Sequence, residues 1–267
     1  MKCKLLFLVF LFSSLRSISQ QVQINYGNNP KAGKYYAVRG IQMYCEIYGK
    51  GKPLLMIHGN AASIKDYSQT IPYFAKHYKV IAVDSRAHGK STDNKDSLSF
   101  EMMADDFDAL LTTLKIDSAY VLGWSDGAIN AIIMAMRHPN KVIKFAATGT
   151  NLWPDSTALV PSVWKEAQQY YETNKTKTLV NAKEINDWKV FMLDWRQPNI
   201  SLQSLHTIKC PAMIIAGDRD LIVPQHTISI YQNIPNAQLW ILPNSSHGTL
   251  VEHADEFNKK VDDFFRK

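Results

Sequence analysis

A chain of 267 residues with 46% hydrophobic and 20% charged residues, 12 Gly and 11 Pro has the composition of an ordinary globular protein, which excludes disordered, collagenous and coiled-coil classes. It is long enough to bury most of its apolar surface without covalent staples, so a small disulfide scaffold is excluded too. The formal charge of +6 contains no basic block, which argues against nucleic acid as a partner.

The N-terminus reads as a targeting segment. Lys2 and Lys4 precede the apolar run Leu5-Leu6-Phe7-Leu8-Val9-Phe10-Leu11-Phe12, and small residues follow at Ser17 and Ser19. That is the order of a secretory signal peptide, with cleavage expected after Ser19, so the mature protein is expected to be secreted or periplasmic. Eight apolar residues fall far short of the roughly 20 a spanning helix needs, and no stable membrane insertion is expected after cleavage. Cys3 stands before the apolar run, which is the wrong side for a lipoprotein anchor. Removing residues 1–19 takes away Lys2, Lys4 and Arg16 and lowers the charge from +6 to +3. Cys45 and Cys210 remain, in a compartment where a disulfide persists. Both lie in or beside predicted strands, and buried free thiols are the preferred reading. Their spacing suggests no metal.

Along the rest of the chain, short β-branched and aliphatic runs predict strands at 41–48, 54–58, 80–83, 119–123, 142–147, 212–217 and 238–242. Helical patterns alternate with them at 66–77, 101–115, 126–137, 225–233 and 254–266. This alternation predicts an α/β fold, a mostly parallel sheet covered by helices on both faces. Such sheets place their sites at the carboxyl ends of the strands. The stretch 151–205 has no good strand and carries helical spacing at 163–171 and 185–195. It reads as a helical cap inserted into a core made of 20–150 and 206–267. Four of the six tryptophans, Trp153, Trp164, Trp188 and Trp195, fall in it. They suit an apolar substrate chamber, although for most of them the cap's own core is the simpler role. Trp153, with Trp124 beside the elbow described next, is a candidate for contact with substrate.

The strongest local signal is Gly123-Trp124-Ser125-Asp126-Gly127, directly after one predicted strand and directly before a helix. A nucleophile elbow needs this context, and its sharp turn needs small residues two before and two after the serine. Ser125 is a weak nucleophile until a base takes its proton, so a histidine oriented by a carboxylate must lie downstream. The strand at 212–217 ends in Asp218-Arg219-Asp220, and the last strand ends in Asn244-Ser245-Ser246-His247-Gly248. Ser125, Asp220 and His247 then occur in the chain order expected for this elbow. Asp220, four residues before Pro224, is preferred as the acid, with Asp218 organising the turn. His226 and His253 read as ordinary surface histidines. Backbone N–H groups for an oxyanion are expected at Asp126 and at Asn60, in the His58-Gly59-Asn60-Ala61 loop after the strand at 54–58. His58 itself reads as a structural hydrogen-bonder.

These motifs make the chain resemble serine hydrolases of the α/β-hydrolase superfamily. The likeness runs from Ile41 through His58-Gly59-Asn60, the loop Asp84-Ser85-Arg86-Ala87-His88-Gly89-Lys90-Ser91, the elbow, and the Asp220 and His247 loops. Within it, Gly123-Trp124-Ser125-Asp126-Gly127, Cys210-Pro211-Ala212 and His253-Ala254-Asp255-Glu256-Phe257-Asn258 are similar to the valacyclovir hydrolase (biphenyl hydrolase-like) family. The resemblance implies hydrolysis of small-molecule esters through a Ser125 acyl-enzyme, with no metal or organic cofactor. It also implies that Asp126 reads an α-amino group of the substrate. The alternative role for Asp126 is an acid favoured in the first turn of any helix. Carbon-carbon bond hydrolases and cofactor-free haloperoxidase-like members share the Ser-Asp-His set and stay open as alternatives, as does a non-catalytic ligand-binding homologue.

Overall fold

The computed structural model describes residues 24–93 and 97–267; the expected signal segment, its cleavage point and Cys3 lie outside them. Eight strands form one sheet: β1 (Gly33–Val38), β2 (Ile41–Tyr48), β3 (Lys52–Ile57), β4 (Tyr78–Val83), β5 (Ala119–Trp124), β6 (Val142–Thr148), β7 (Ala212–Gly217) and β8 (Ala237–Leu242). Their order is β1-β2-β4-β3-β5-β6-β7-β8. β2 pairs antiparallel with both neighbours, and every pairing from β4 to β8 is parallel.

Alternation within a strand feeds two apolar layers. In β3, Leu55 and Ile57 join one buried cluster while Leu54 and Met56 join the other. The first layer is closed by α2 (Phe100–Thr113), α3 (Asp126–Arg137) and α6 (Pro224–Asn233), through residues such as Phe107, Ile132 and Ile230. The second is closed by α1 (Ile71–Phe74) and α7 (Ala254–Arg266), through Phe74, Phe257, Val261 and Phe265. A sheet covered on both faces, with near-continuous apolar strands, is the architecture the alternation predicts.

Two elements differ from expectation. The strand β1 has no counterpart among the predicted ones, because it is an edge strand in which only Val38 is buried and Lys34, Tyr35 and Ala37 are exposed, so it shows no buried face. The helix expected over 66–77 is instead a 3-10 turn at Ile64–Tyr67 followed by the four-residue α1. Pro72 sits at the start of α1; lacking an N–H, it cannot continue a helix begun upstream.

Between β6 and β7 the chain leaves the sheet and forms α4 (Pro161–Asn174) and α5 (Ala182–Arg196). The beginning of this insertion is pinned to the loop after β7. Val160 N–H donates to Leu221 O and Val223 N–H to Ala158 O, each at 2.9 Å. Cys45 and Cys210 are free thiols. β2 and β7 stand five positions apart in the sheet, roughly 24 Å at the usual strand spacing, far beyond the reach of a disulfide. Cys45 is buried, whereas Cys210 is only half-buried. Among the described residues no helix is long and apolar enough to cross a membrane.

Candidate active site

The chain steps from β3 to β4 on one side and resumes at β5 on the other, so β3 and β5 flank the point where strand order reverses. Open sheets form their clefts there. The loop carrying His58-Gly59-Asn60 follows β3, and Ser125 follows β5. Ser125 itself has φ 55° and ψ −118°, a left-handed conformation that is strained for a residue with a side chain and is held only by its surroundings. The surroundings are two close approaches. A Cβ at Gly123 would stand 2.1 Å from Gly127 O, and one at Gly127 would stand 1.8 Å from Ile57 O. Only glycine fits at either position.

Ser125 Oγ donates to His247 Nε2 at 2.9 Å, and His247 Nδ1–H donates to Asp220 Oδ1 at 2.6 Å. Asp220 is 6% exposed and also accepts from Ile222 N–H at 3.2 Å. Asp218 is exposed and accepts from Ser245 N–H at 3.0 Å; backbone donors hold its carboxyl below the usual range. Asp218 therefore shapes the turn, and Asp220 faces the imidazole. The His247 loop is braced twice. Trp124 Nε1–H donates to His247 O at 2.9 Å, and Glu252 accepts from Ser246 N–H at 2.8 Å as well as from the Ser246 hydroxyl.

Asp126 opens α3, where leading N–H groups have no intrahelical partner. The loop after β3 lies directly against the nucleophile, since a Cβ on Gly59 would be 2.9 Å from Ser125 Cβ. The Asn60 side chain crosses the cleft, its Nδ2 donating to Asp126 Oδ2 at 3.1 Å and to Val190 O at 3.3 Å. His58 is buried, donating through Nδ1 to Gly59 O at 2.7 Å and accepting at Nε2 from Ser85 N–H at 3.0 Å. Both nitrogens are thus engaged by the neutral ring, and burial pushes its pKa down to about 4.

Two cavities meet beside Ser125. The smaller, about 220 Å³, holds Ser125, Asp126 and His247 against apolar walls that include Val163, Trp164 and Trp195. The larger, about 560 Å³, is lined by Asn60, His88 and Asn186 among others, and Phe191 and Asp194 border both. Trp164 stacks on Trp195 with ring centres 4.9 Å apart, and Trp188 stacks on Tyr171 and Phe191. The aromatic residues of α4 and α5 therefore make the insertion's own core, and three of them, Trp164, Phe191 and Trp195, also wall the smaller cavity. Trp124 and Trp153, the aromatic candidates for substrate contact, line neither cavity. Trp124 is turned to the His247 loop, and Trp153 packs edge-on against His226 at 4.5 Å with its Nε1–H on Thr157.

His226 departs from its expected surface position. It is 4% exposed, its Nε2 accepts from Leu152 N–H at 2.9 Å, and burial pushes its pKa down to about 4. Its place two residues after Pro224, inside a helix packed on the sheet, hid that burial in the sequence. Asp194 was also missed. It is exposed and borders both cavities, the smaller of them together with Asp126. The protein around the cleft and the adjacent Asp126 charge push its carboxyl upward, while burial raises Asp126. The only signal in the sequence is a lone acid inside the apolar run Phe191-Met192-Leu193-Asp194-Trp195. Gly149, where a Cβ would stand 2.7 Å from His247 Cε1, gives the imidazole its room and carries no sequence signal of that role.

Residues 52–175 match the sequence family described as alpha/beta hydrolase fold. Serine hydrolase BPHL of Homo sapiens is 28% identical over 247 residues, covering 86% of this chain and 85% of that protein. The 2-hydroxymuconate semialdehyde hydrolase of Pseudomonas sp. (strain CF600) is 24% identical, covering 89% and 95% respectively. Among solved structures, the enol-lactonase from Burkholderia xenovorans LB400 superposes with a TM-score of 0.72 at 22% identity, covering 88% of this chain and 100% of that one. On its sheet order and on these likenesses, the chain has the α/β-hydrolase fold.

Proposed function

We propose that the protein is a serine hydrolase that cleaves carboxylic esters of small molecules through an acyl-enzyme. The observation that carries this reading is the unbroken hydrogen-bonded line from Ser125 Oγ through His247 to Asp220. In the reaction, His247 Nε2 takes the Ser125 proton as Oγ attacks the ester carbonyl carbon. The carbonyl oxygen becomes an oxyanion between the Asn60 and Asp126 N–H groups, at the positive end of α3. His247 returns the proton to the leaving alkoxide as the C–O bond breaks. Water, deprotonated by the same imidazole, then releases the acid and restores Ser125. Asp220 orients His247 and stabilises its charged form throughout. No cofactor enters these steps. Residues 1–19 act in this reading as a secretory signal and 151–205 as the cap that selects the substrate.

Asp126 at the cleft floor suits pairing with a substrate ammonium, which extends the reading to α-amino esters. The test is kcat/KM for two esters that differ only in carrying an α-amino group or hydrogen, with the wild type, Ser125→Ala and Asp126→Ala. A preference of at least about tenfold for the amino ester, about 1.4 kcal/mol, that Asp126→Ala erases is the expected result. Equal rates dependent on Ser125 alone would make the protein a general carboxylesterase. A second reading, carbon-carbon bond hydrolysis, is favoured by the likeness to 2-hydroxymuconate semialdehyde hydrolase. Turnover of a vinylogous diketone without turnover of simple esters would establish it instead.

A further inference from the structure

The two oxyanion donors of the proposed mechanism come from different parts of the fold. Asp126 N–H belongs to the first residue of α3, whereas Asn60 N–H belongs to a turn after β3, and neither has an acceptor among the described residues. The turn is closed by Ala62 N–H donating to Gly59 O at 3.3 Å, and its third residue, Ala61, has φ 52°. That left-handed conformation is unfavourable for a residue with a Cβ and persists only where the surroundings impose it. A donor on such a turn needs an outside hold, because an oxyanion hole works by being fixed before the charge develops.

The Asn60 side chain supplies one. Its amide nitrogen carries two hydrogens, and both are committed, one to Asp126 Oδ2 at 3.1 Å and the other to Val190 O at 3.3 Å. The first bond fastens the two residues that offer the donors directly to each other. The second fastens them to α5. Asp126 and Val190 are both buried, where water competes poorly for a hydrogen bond. α5 is in turn seated on the loop after β4. Asn186 Nδ2 donates to Ala87 O at 2.9 Å, and Lys189 pairs with Asp93, whose other oxygen accepts from Arg86 at 3.0 Å. The Arg86 and Asp93 side chains are almost fully enclosed, so this seat is a buried one.

We propose that the Asn60 side chain is a positioning group that sets the oxyanion hole, and that through it the hole depends on the seating of α5. A helix displaced from the loop after β4 takes Val190 O away from the amide and leaves the turn with one anchor in place of two. The insertion thus does more than wall the cavities, since the hole is complete only beneath a seated α5. This rests on the reading of Ser125 as an ester-cleaving nucleophile with its hole at Asn60 and Asp126, and adds to it the group that holds the hole in place.

The test sets trifluoroacetophenone beside p-nitrophenyl acetate. Ser125 Oγ adds to the ketone carbon, His247 takes the hydroxyl proton, and the carbonyl electron pair moves to the oxygen, which rests in the hole as the ester's oxyanion does. Nothing leaves, so the adduct is reversible and its Ki reports the hole. In Asn60→Ala, kcat/KM for the ester should fall by about 10–100-fold and the Ki of the ketone should rise by a similar factor. A merely structural loss would thin the active population without moving the Ki of the sites that survive. Asn60→Ser, too short to reach both acceptors, serves if the Ala variant does not fold. Lys189→Met should lower kcat/KM by about three- to tenfold with Asn60 present and by less than about twofold in the Asn60→Ala background, because both changes act on one tie. If the ketone Ki of Asn60→Ala stays within about twofold of wild type, the positioning role is overturned while the Ser125 reading stands. If the losses of the two variants multiply, α5 acts on the site by another route and its share of the proposal falls. If the wild type neither turns over the ester nor binds the ketone, both readings fall.

Discussion

Asp218 and Asp220 are chemically identical and two positions apart, and only their partners separate them. Asp220 is buried against His247 Nδ1, whereas Asp218 is exposed and tied to the Ser245 amide. An Asn at 220 keeps the shape but removes the charge that stabilises the imidazolium and selects its tautomer. On the proposed mechanism, Asp220→Asn should lower kcat on a simple ester by about 10³-fold or more. Asp218→Asn should stay within about tenfold of wild type, because a neutral amide oxygen still accepts from Ser245. Steady-state kinetics on p-nitrophenyl acetate decides it, and the reverse ranking would move the acid role to Asp218.

At the scale of the elements, the elbow is a contact between backbones. α3 lies so close to β5 and β3 that a Cβ at Gly123 would stand 2.1 Å from Gly127 O and one at Gly127 would stand 1.8 Å from Ile57 O. Backbone oxygens fixed in a sheet and a helix cannot yield as a side chain does, so Gly127→Ala should cost about 3 kcal/mol or more. Gly248→Ala is the control, since a Cβ there meets only the end of the Glu252 side chain at 3.6 Å. Urea-unfolding midpoints of the two variants should differ widely; similar midpoints would show that the elbow relaxes. The sequence made this element legible because its constraint is local: small residues at fixed offsets between a strand and a helix. The mostly parallel sheet and the placement of Asp220 and His247 after β7 and β8 were legible through alternation and chain order. Asp194 was not, because its place beside both cavities depends on where an inserted helix lands over the strand ends. Burial of His226 was not, because nothing local shows which helix face meets the sheet. The edge strand β1 escaped because an exposed strand needs no buried apolar face, and the bracing of the His247 loop by Trp124 escaped because an aromatic beside a nucleophile can brace a loop as well as touch a ligand.

Across the whole molecule, two histidines are held neutral at distant joints. His58 ties the loop after β3 to the loop after β4 through Ser85, and His226 ties α6 to the start of the insertion through Leu152. Each accepts a backbone N–H at Nε2, so protonation there would set one N–H against another. Both are held down to about 4 by burial, against about 6.5 in an unfolded chain. Their linkage has one sign. Above about pH 6.5 neither state carries the proton and stability is unaffected. Between about 6.5 and 4 the unfolded chain takes up protons that the folded one refuses, so stability falls as pH falls. The raised carboxyls of Asp126 and Asp194 act the other way, since the folded state holds their protons more tightly. The wild-type curve therefore mixes opposing slopes, and a difference isolates the histidine. Between pH 7 and 5, wild type should lose about 1–2 kcal/mol more than His226→Gln, whose amide oxygen accepts from Leu152 without titrating. Urea unfolding of both proteins at the two pH values measures it. Parallel losses would mean that His226 takes its proton in the folded state, and that the joint between α6 and the insertion opens before the molecule unfolds.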